Sequence, residues 1–136
     1  MIELSVLKFL EENPELKMIV NDMILIELNA IGFKSGLVGY TYLTEAIWLY
    51  LSQPLESDII SGIYHSLASK YKRTPLSINR SITKSIYETW YSGNLNSCNY
   101  TLNTTSVTTA YMPQNAEFIA TIAENVIIQM RLKNIV

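Results

Sequence analysis

The sequence predicts an all-α protein, a bundle of about six helices containing a helix-turn-helix. Three observations predict it. Hydrophobic residues make up 49% of the 136 positions and charged residues only 16%, which excludes general disorder. Five Gly and four Pro are too few for a turn-rich β-sandwich. Apolar residues recur at helical spacing through most of the chain, and Thr74-Pro75 marks an unambiguous helix start.

The elements follow in order. Ile2 to Glu12 reads as an extra amino-terminal helix, and Pro14 opens a new segment, which gives a division into residues 1–14 and a single domain over 15–136. Glu15 to Ile31 reads as a helix with Ile19, Met23, Ile26 and Ala30 on its inner face, and Gly32 ends it. Leu37 to Ser52 is a strongly apolar helix through Tyr40, Leu43, Ala46, Ile47 and Tyr50, ending before Pro54. Gly36 and Gly39 read as a tight bend and a close helix approach. Ser57 can cap a helix over about 58–70. Thr74 and Pro75 suit the cap and first position of the next helix, over 75–92. Residues 93–114, rich in Asn, Thr and Ser, give no ordered pattern. The last helix starts near Asn115 and runs to about Arg131; its apolar Phe118, Ile122, Val126, Ile127 and Met130 face the core or a partner.

Composition narrows function. The most apolar stretch, Met18 to Phe33, is broken by Asp22 and Glu27, so it reads as a core helix rather than a membrane span. Met1-Ile2-Glu3-Leu4 has no basic n-region or small-residue cleavage site, so no signal peptide is expected and a cytoplasmic location is. One Cys, Cys98, and one His, His65, supply neither a metal-ligand spacing nor a nucleophile–base set. No cofactor, metal, small-molecule substrate or enzymatic activity is expected.

Charge is distributed unevenly. Residues 1–58 hold three bases against nine acids, whereas residues 59–136 hold seven against three. Lys70, Lys72, Arg73, Arg80 and Lys84 share a 15-residue window with no acid, half of the ten basic residues in the chain. That window spans the turn between two helices, 58–70 and 75–92, and the first half of the second. Leu67-Ala68 precedes a turn of about four residues, and Ile78, Ile82, Ile86 and Trp90 form an inward stripe after it, the pattern of a helix-turn-helix. Ser77, Arg80, Lys84 and Tyr87 then project outward, with Asn79 and Thr83 on the flanks. Arg pairs with guanine through two parallel hydrogen bonds, Asn pairs with adenine, and Ser or Thr bonds bases or phosphates. Candidate base-reading residues are therefore Ser77, Asn79, Arg80 and Thr83; candidate phosphate contacts are Lys70, Lys72, Arg73 and Lys84.

Three motifs sharpen this reading. Gly39-Tyr40-Thr41-Tyr42-Leu43-Thr44-Glu45-Ala46-Ile47, Trp90-Tyr91-Ser92-Gly93-Asn94 and Asn115-Ala116-Glu117-Phe118-Ile119-Ala120 occur in order. Together they resemble the effector domain of the stage-zero sporulation transcription factor A family. The resemblance spans roughly Ile31 to Met130. It implies a six-helix DNA-binding domain that occupies short promoter boxes, often as tandem dimers, and regulates transcription. The family's amino-terminal phosphoreceiver domain is not expected within these residues, so phosphorylation-controlled dimerisation is not carried over; the chain is either a free-standing homologue or a fragment, and Met1 and the extra helix favour the first. Matched through Trp90 and Gly93, the family usually places Arg, Glu, Arg and Arg where this chain has Ser77, Asn79, Arg80 and Thr83; only Arg80 is retained.

The expected function is a double-stranded DNA-binding regulator related to sporulation control, with helix 75–92 in the major groove, acting as a homodimer or with a related regulator. The alternative is an interaction module that pairs with or modulates a full-length family regulator without reading DNA. The reduced reading set and the acidic amino-terminal half motivate it.

Overall fold

The computed structural model describes residues 12–33, 36, 38–52, 59–92 and 112–133. These form five α-helices with no strand among them: α1 (Pro14–Ile31), α2 (Val38–Ser52), α3 (Ile59–Tyr71), α4 (Pro75–Ser92) and α5 (Asn115–Leu132). The expected amino-terminal helix, the Ser57 cap, Cys98 and all but the last residues of 93–114 lie outside the described residues. The remaining boundaries agree with expectation to within a residue or two.

Helix α2 is the hub, packed against each of the other four. Its Leu43, Ala46, Ile47 and Leu51 are fully buried. Helix α4 supplies Ile78, Ile82, Ile86 and Trp90, each 1% exposed or less, as their four-residue spacing predicted. Helix α5 turns Phe118, Ile122, Val126, Ile127 and Met130 into the same core, so this stripe packs within the chain rather than on a partner. Each such side chain contributes roughly 1.5–3 kcal/mol by leaving water.

The face of α1 differs from expectation. Val20, Met23, Ile24, Leu28 and Ile31 are buried, whereas Ile19 and Ile26 are 42% and 63% exposed, and Ala30 is exposed. Apolar residues cover two stripes of this helix, so periodicity alone does not choose between them. The helix end selects the face: Gly32 takes a left-handed φ of 109°, and the Phe33 N–H returns to the Leu28 carbonyl at 3.1 Å. Phe33 is thereby delivered into the core, where its ring meets Phe118 with centroids 5.5 Å apart.

Gly39 sets the distance between α2 and α4. A Cβ there would lie 1.9 Å from Ser85 Oγ and 2.3 Å from the Ser81 backbone carbonyl. The close approach expected of Gly39 is thus the crossing that seats the second helix of the helix-turn-helix. Gly36 sits in a turn, with nothing within 4 Å of where its Cβ would be.

Candidate nucleic-acid interface

The turn between α3 and α4 forms without glycine. Lys72 takes the left-handed position, φ 55°, and the Arg73 N–H bonds the Ala68 carbonyl at 2.9 Å to close the end of α3. Lys72 accepts the modest strain of that conformation and keeps a cation at the turn, where it is exposed. Thr74 then caps α4, its Oγ1 accepting the Ser77 N–H at 3.1 Å, with Pro75 as the first helical residue.

The turn is braced from α2 by the motif residues Tyr42 and Glu45. Glu45 accepts hydrogen bonds from the Lys70 ammonium and the Tyr71 hydroxyl. Arg73 Nη1 donates to the Tyr42 hydroxyl at 2.8 Å, and its guanidinium lies 5.6 Å from the centroid of the same ring. Tyr42 and Tyr71 pack edge to face with centroids 4.9 Å apart. The hydrogen bond to Glu45, with burial and the nearby carboxylate charge adding to it, pushes the Tyr71 hydroxyl pKa up to about 12. The basic window is therefore acid-free in sequence but not in space. Lys70 faces Glu45, and Lys70 and Arg73 both bind within the protein as well as facing outward.

The outward face of α4 is open. Arg80 and Lys84 are exposed and, with Arg73 and Ser77, line a shallow concavity of about 370 Å³. Lys84 approaches Glu88 at 3.9 Å, one turn along the helix, an exposed pair of little energetic weight. Arg80 has no carboxylate partner among the described residues. Tyr87 and Tyr91 extend this face with ring centroids 4.8 Å apart, both more than half exposed. His65 is exposed on α3.

Asn79 and Thr83 sit on the flank that meets α5. The Asn115 side-chain amide, at the start of α5, donates to Asn79 Oδ1 at 2.8 Å and to Thr83 Oγ1 at 2.9 Å. It also lies 3.3 Å from the Asn79 backbone carbonyl, to which the Thr83 hydroxyl donates at 2.9 Å. The Tyr64 hydroxyl borders the cluster; burial raises its pKa, and the Asn115 amide opposes part of that rise. Of the four candidate base readers, Ser77 and Arg80 thus share the open concavity, while Asn79 and Thr83 are tied to α5. Asn115 was legible only as a motif residue and a helix start. Its role is set by a tertiary contact 36 residues away, which local spacing does not reveal.

Among the described residues no three His, Cys, Asp or Glu side chains are grouped to hold a metal ion. None of the described helices is long and apolar enough to cross a membrane.

The arrangement is a helix-turn-helix whose second helix offers a cationic, solvent-open face on a rigid support. A family model described as sporulation initiation factor Spo0A C terminal matches residues 24–126. The match encloses all three motifs, including the α2 residues that brace the turn and the Asn115 that fastens α5 to α4. On that ground, and with the all-α fold in agreement, the chain belongs to the Spo0A C-terminal family of DNA-binding sporulation regulator domains.

Proposed function

We propose that this chain is a sequence-specific regulator that binds double-stranded DNA by laying α4 in the major groove. The observation that carries the reading is Arg80: exposed on the groove-facing side, beside Arg73, Ser77 and Lys84, with no carboxylate to neutralise it among the described residues. A guanidinium so placed matches the paired acceptors of guanine. Ser77 lies one turn ahead of it, where a hydroxyl bonds a base or a phosphate. Lys72 and Lys84 flank the concavity and neutralise phosphates without reading sequence, as does Arg73 from its seat on Tyr42. Lys70 is paired with the Glu45 carboxylate, so of the four phosphate candidates it has the least charge to offer DNA. Asn79 and Thr83 act from the α5 flank.

In vitro selection from randomised duplexes, followed by gel-shift titration over a range of salt, tests this. The intact chain should enrich a short box. Lys72→Ala should weaken binding to every duplex alike and reduce the salt slope by about one unit. Absence of duplex binding even at low salt, together with co-purification with a full-length family regulator, would favour the interaction-module reading instead.

A further inference from the structure

We infer that Asn115 is a positioning residue that sets base preference at the flank of α4, by fixing which atom of Asn79 faces the groove. The inference rests on the DNA-binding reading above and adds a specificity rule to it.

The hydrogen-bond cluster determines both amide orientations. Thr83 Oγ1 donates its only proton to the Asn79 backbone carbonyl, so toward Asn115 it must accept. The Asn115 atom it meets is therefore the amide nitrogen. That same nitrogen meets the Asn79 side chain at 2.8 Å, and two NH₂ groups cannot bond each other there, so the Asn79 atom is its oxygen. Bonded to the Asn115 amide, Oδ1 is held on the α5 side, and the free end of the Asn79 amide is its NH₂ group, which has no partner among the described residues. Asn79 sits one residue before Arg80, at the edge of the open face.

This changes the reading chemistry. An unconstrained Asn pairs with adenine through both amide atoms, oxygen to N6–H₂ and nitrogen to N7. An Asn79 whose oxygen is held on the α5 side meets a base through its NH₂ donors. It complements guanine, whose N7 and O6 both accept, and leaves the adenine N6–H₂ group without a partner. Together with Arg80, this flank then presents donors to the groove, which favours guanine over adenine at the box position it meets.

Selection from randomised duplexes with the intact chain and four variants tests the inference. The unmutated chain should show one position preferring guanine over adenine by about fivefold or more, a preference that Asn79→Ala abolishes. Asn115→Ala frees both atoms of the Asn79 amide, and preference at that position should move to adenine while other positions keep theirs. In the double variant Asn79→Ala/Asn115→Ala the position should be degenerate. Asn115→Asp provides an arm that retains the tie with reversed polarity. Its carboxylate accepts from the Asn79 NH₂ group and from the Thr83 hydroxyl, which turns from the Asn79 backbone carbonyl to donate to it; the Asn79 oxygen then turns outward and should favour cytosine or adenine, whose exocyclic amines donate. A carboxylate in the first turn of α5 is also favoured by the helix dipole, so this variant keeps the fold. A base profile unchanged by both Asn115 variants overturns the inference and leaves the DNA-binding reading standing. Failure of the unmutated chain to bind any duplex overturns both.

Discussion

The cations before α4 and the cations on α4 are used differently. Lys70 and Arg73 are held by Glu45 and Tyr42 of α2, so their charges help to fix the geometry of the turn. Arg80 and Lys84, further along the chain on α4, meet no comparable restraint and face solvent. Residues alike in charge and close in sequence thus divide between a support and a contact surface. What separates them is α2, which reaches the turn but passes beneath the outward face of α4.

The most damaging way to break this division acts on the support. Gly39→Ala places a methyl group against Ser85 and the Ser81 carbonyl, and a backbone carbonyl cannot be moved aside as a flexible side chain can. The helices α2 and α4 must separate, which costs about 3 kcal/mol or more. Chemical denaturation should show that loss directly, and DNA binding should fall with it because α4 is no longer seated. On the contact surface the outcome is the reverse. Arg80→Ala should leave unfolding within about 0.5 kcal/mol of the parent while removing about 1–3 kcal/mol of discrimination at one base position. Thermal unfolding and competition gel shifts, run on the same two proteins, separate the two sides. If Arg80→Ala unfolded the chain, the outward face would be part of the support after all.

Much of the support was legible in the sequence. Four-residue spacing located Ile78, Ile82, Ile86 and Trp90, and the Thr74-Pro75 pair located the start of α4, because both signals depend on local geometry. The inner face of α1 was not legible, since apolar residues lie on two of its stripes and the choice is made by the Gly32–Phe33 helix end. The contact surface was legible in part. Arg80 and Lys84 stand where an amphipathic helix must place them. That Lys70 meets Glu45, 25 residues away, and that Asn79 meets Asn115, 36 residues away, depends on helices brought together only by the packed core.

A smaller effect sharpens the role of the turn. The Tyr71 hydroxyl donates to Glu45, which raises its folded pKa to about 12 from an ordinary value near 10. The protonated phenol is the form the fold favours, so its contribution is fully present below pH 10 and disappears as pH rises from about 10 to about 12. Solvent screens this partly exposed group, so the contribution is about 1 kcal/mol. Tyr71→Phe should lose that amount at neutral pH and show a shallower decline in stability across the alkaline window. Denaturation of both proteins at pH 8 and at about pH 12 measures it.

The smallest effect contrasts two glutamates. Glu45 gains an ammonium and a phenol, whereas Glu27, on the α1 side of the core, gains the Gln129 amide and no cation among the described residues. Burial raises the Glu27 pKa above 4.5, and the Gln129 hydrogen bond offsets only part of that rise. A carboxyl group with a raised folded pKa favours the fold below its unfolded pKa and loses that contribution as pH rises through the folded value. At neutral pH the ionised group is therefore a net cost. Glu27→Gln keeps a hydrogen-bonding partner for Gln129 and removes the charge. It should stabilise the chain at pH 7 by up to about 0.5 kcal/mol once solvent screening is allowed for, and the gain should shrink as pH falls toward 4. Glu45→Gln should have the opposite sign at pH 7, because it removes the carboxylate that holds Lys70 and Tyr71. Opposite signs for the same substitution would show that the partner a carboxylate meets, rather than its burial alone, decides whether it supports the fold.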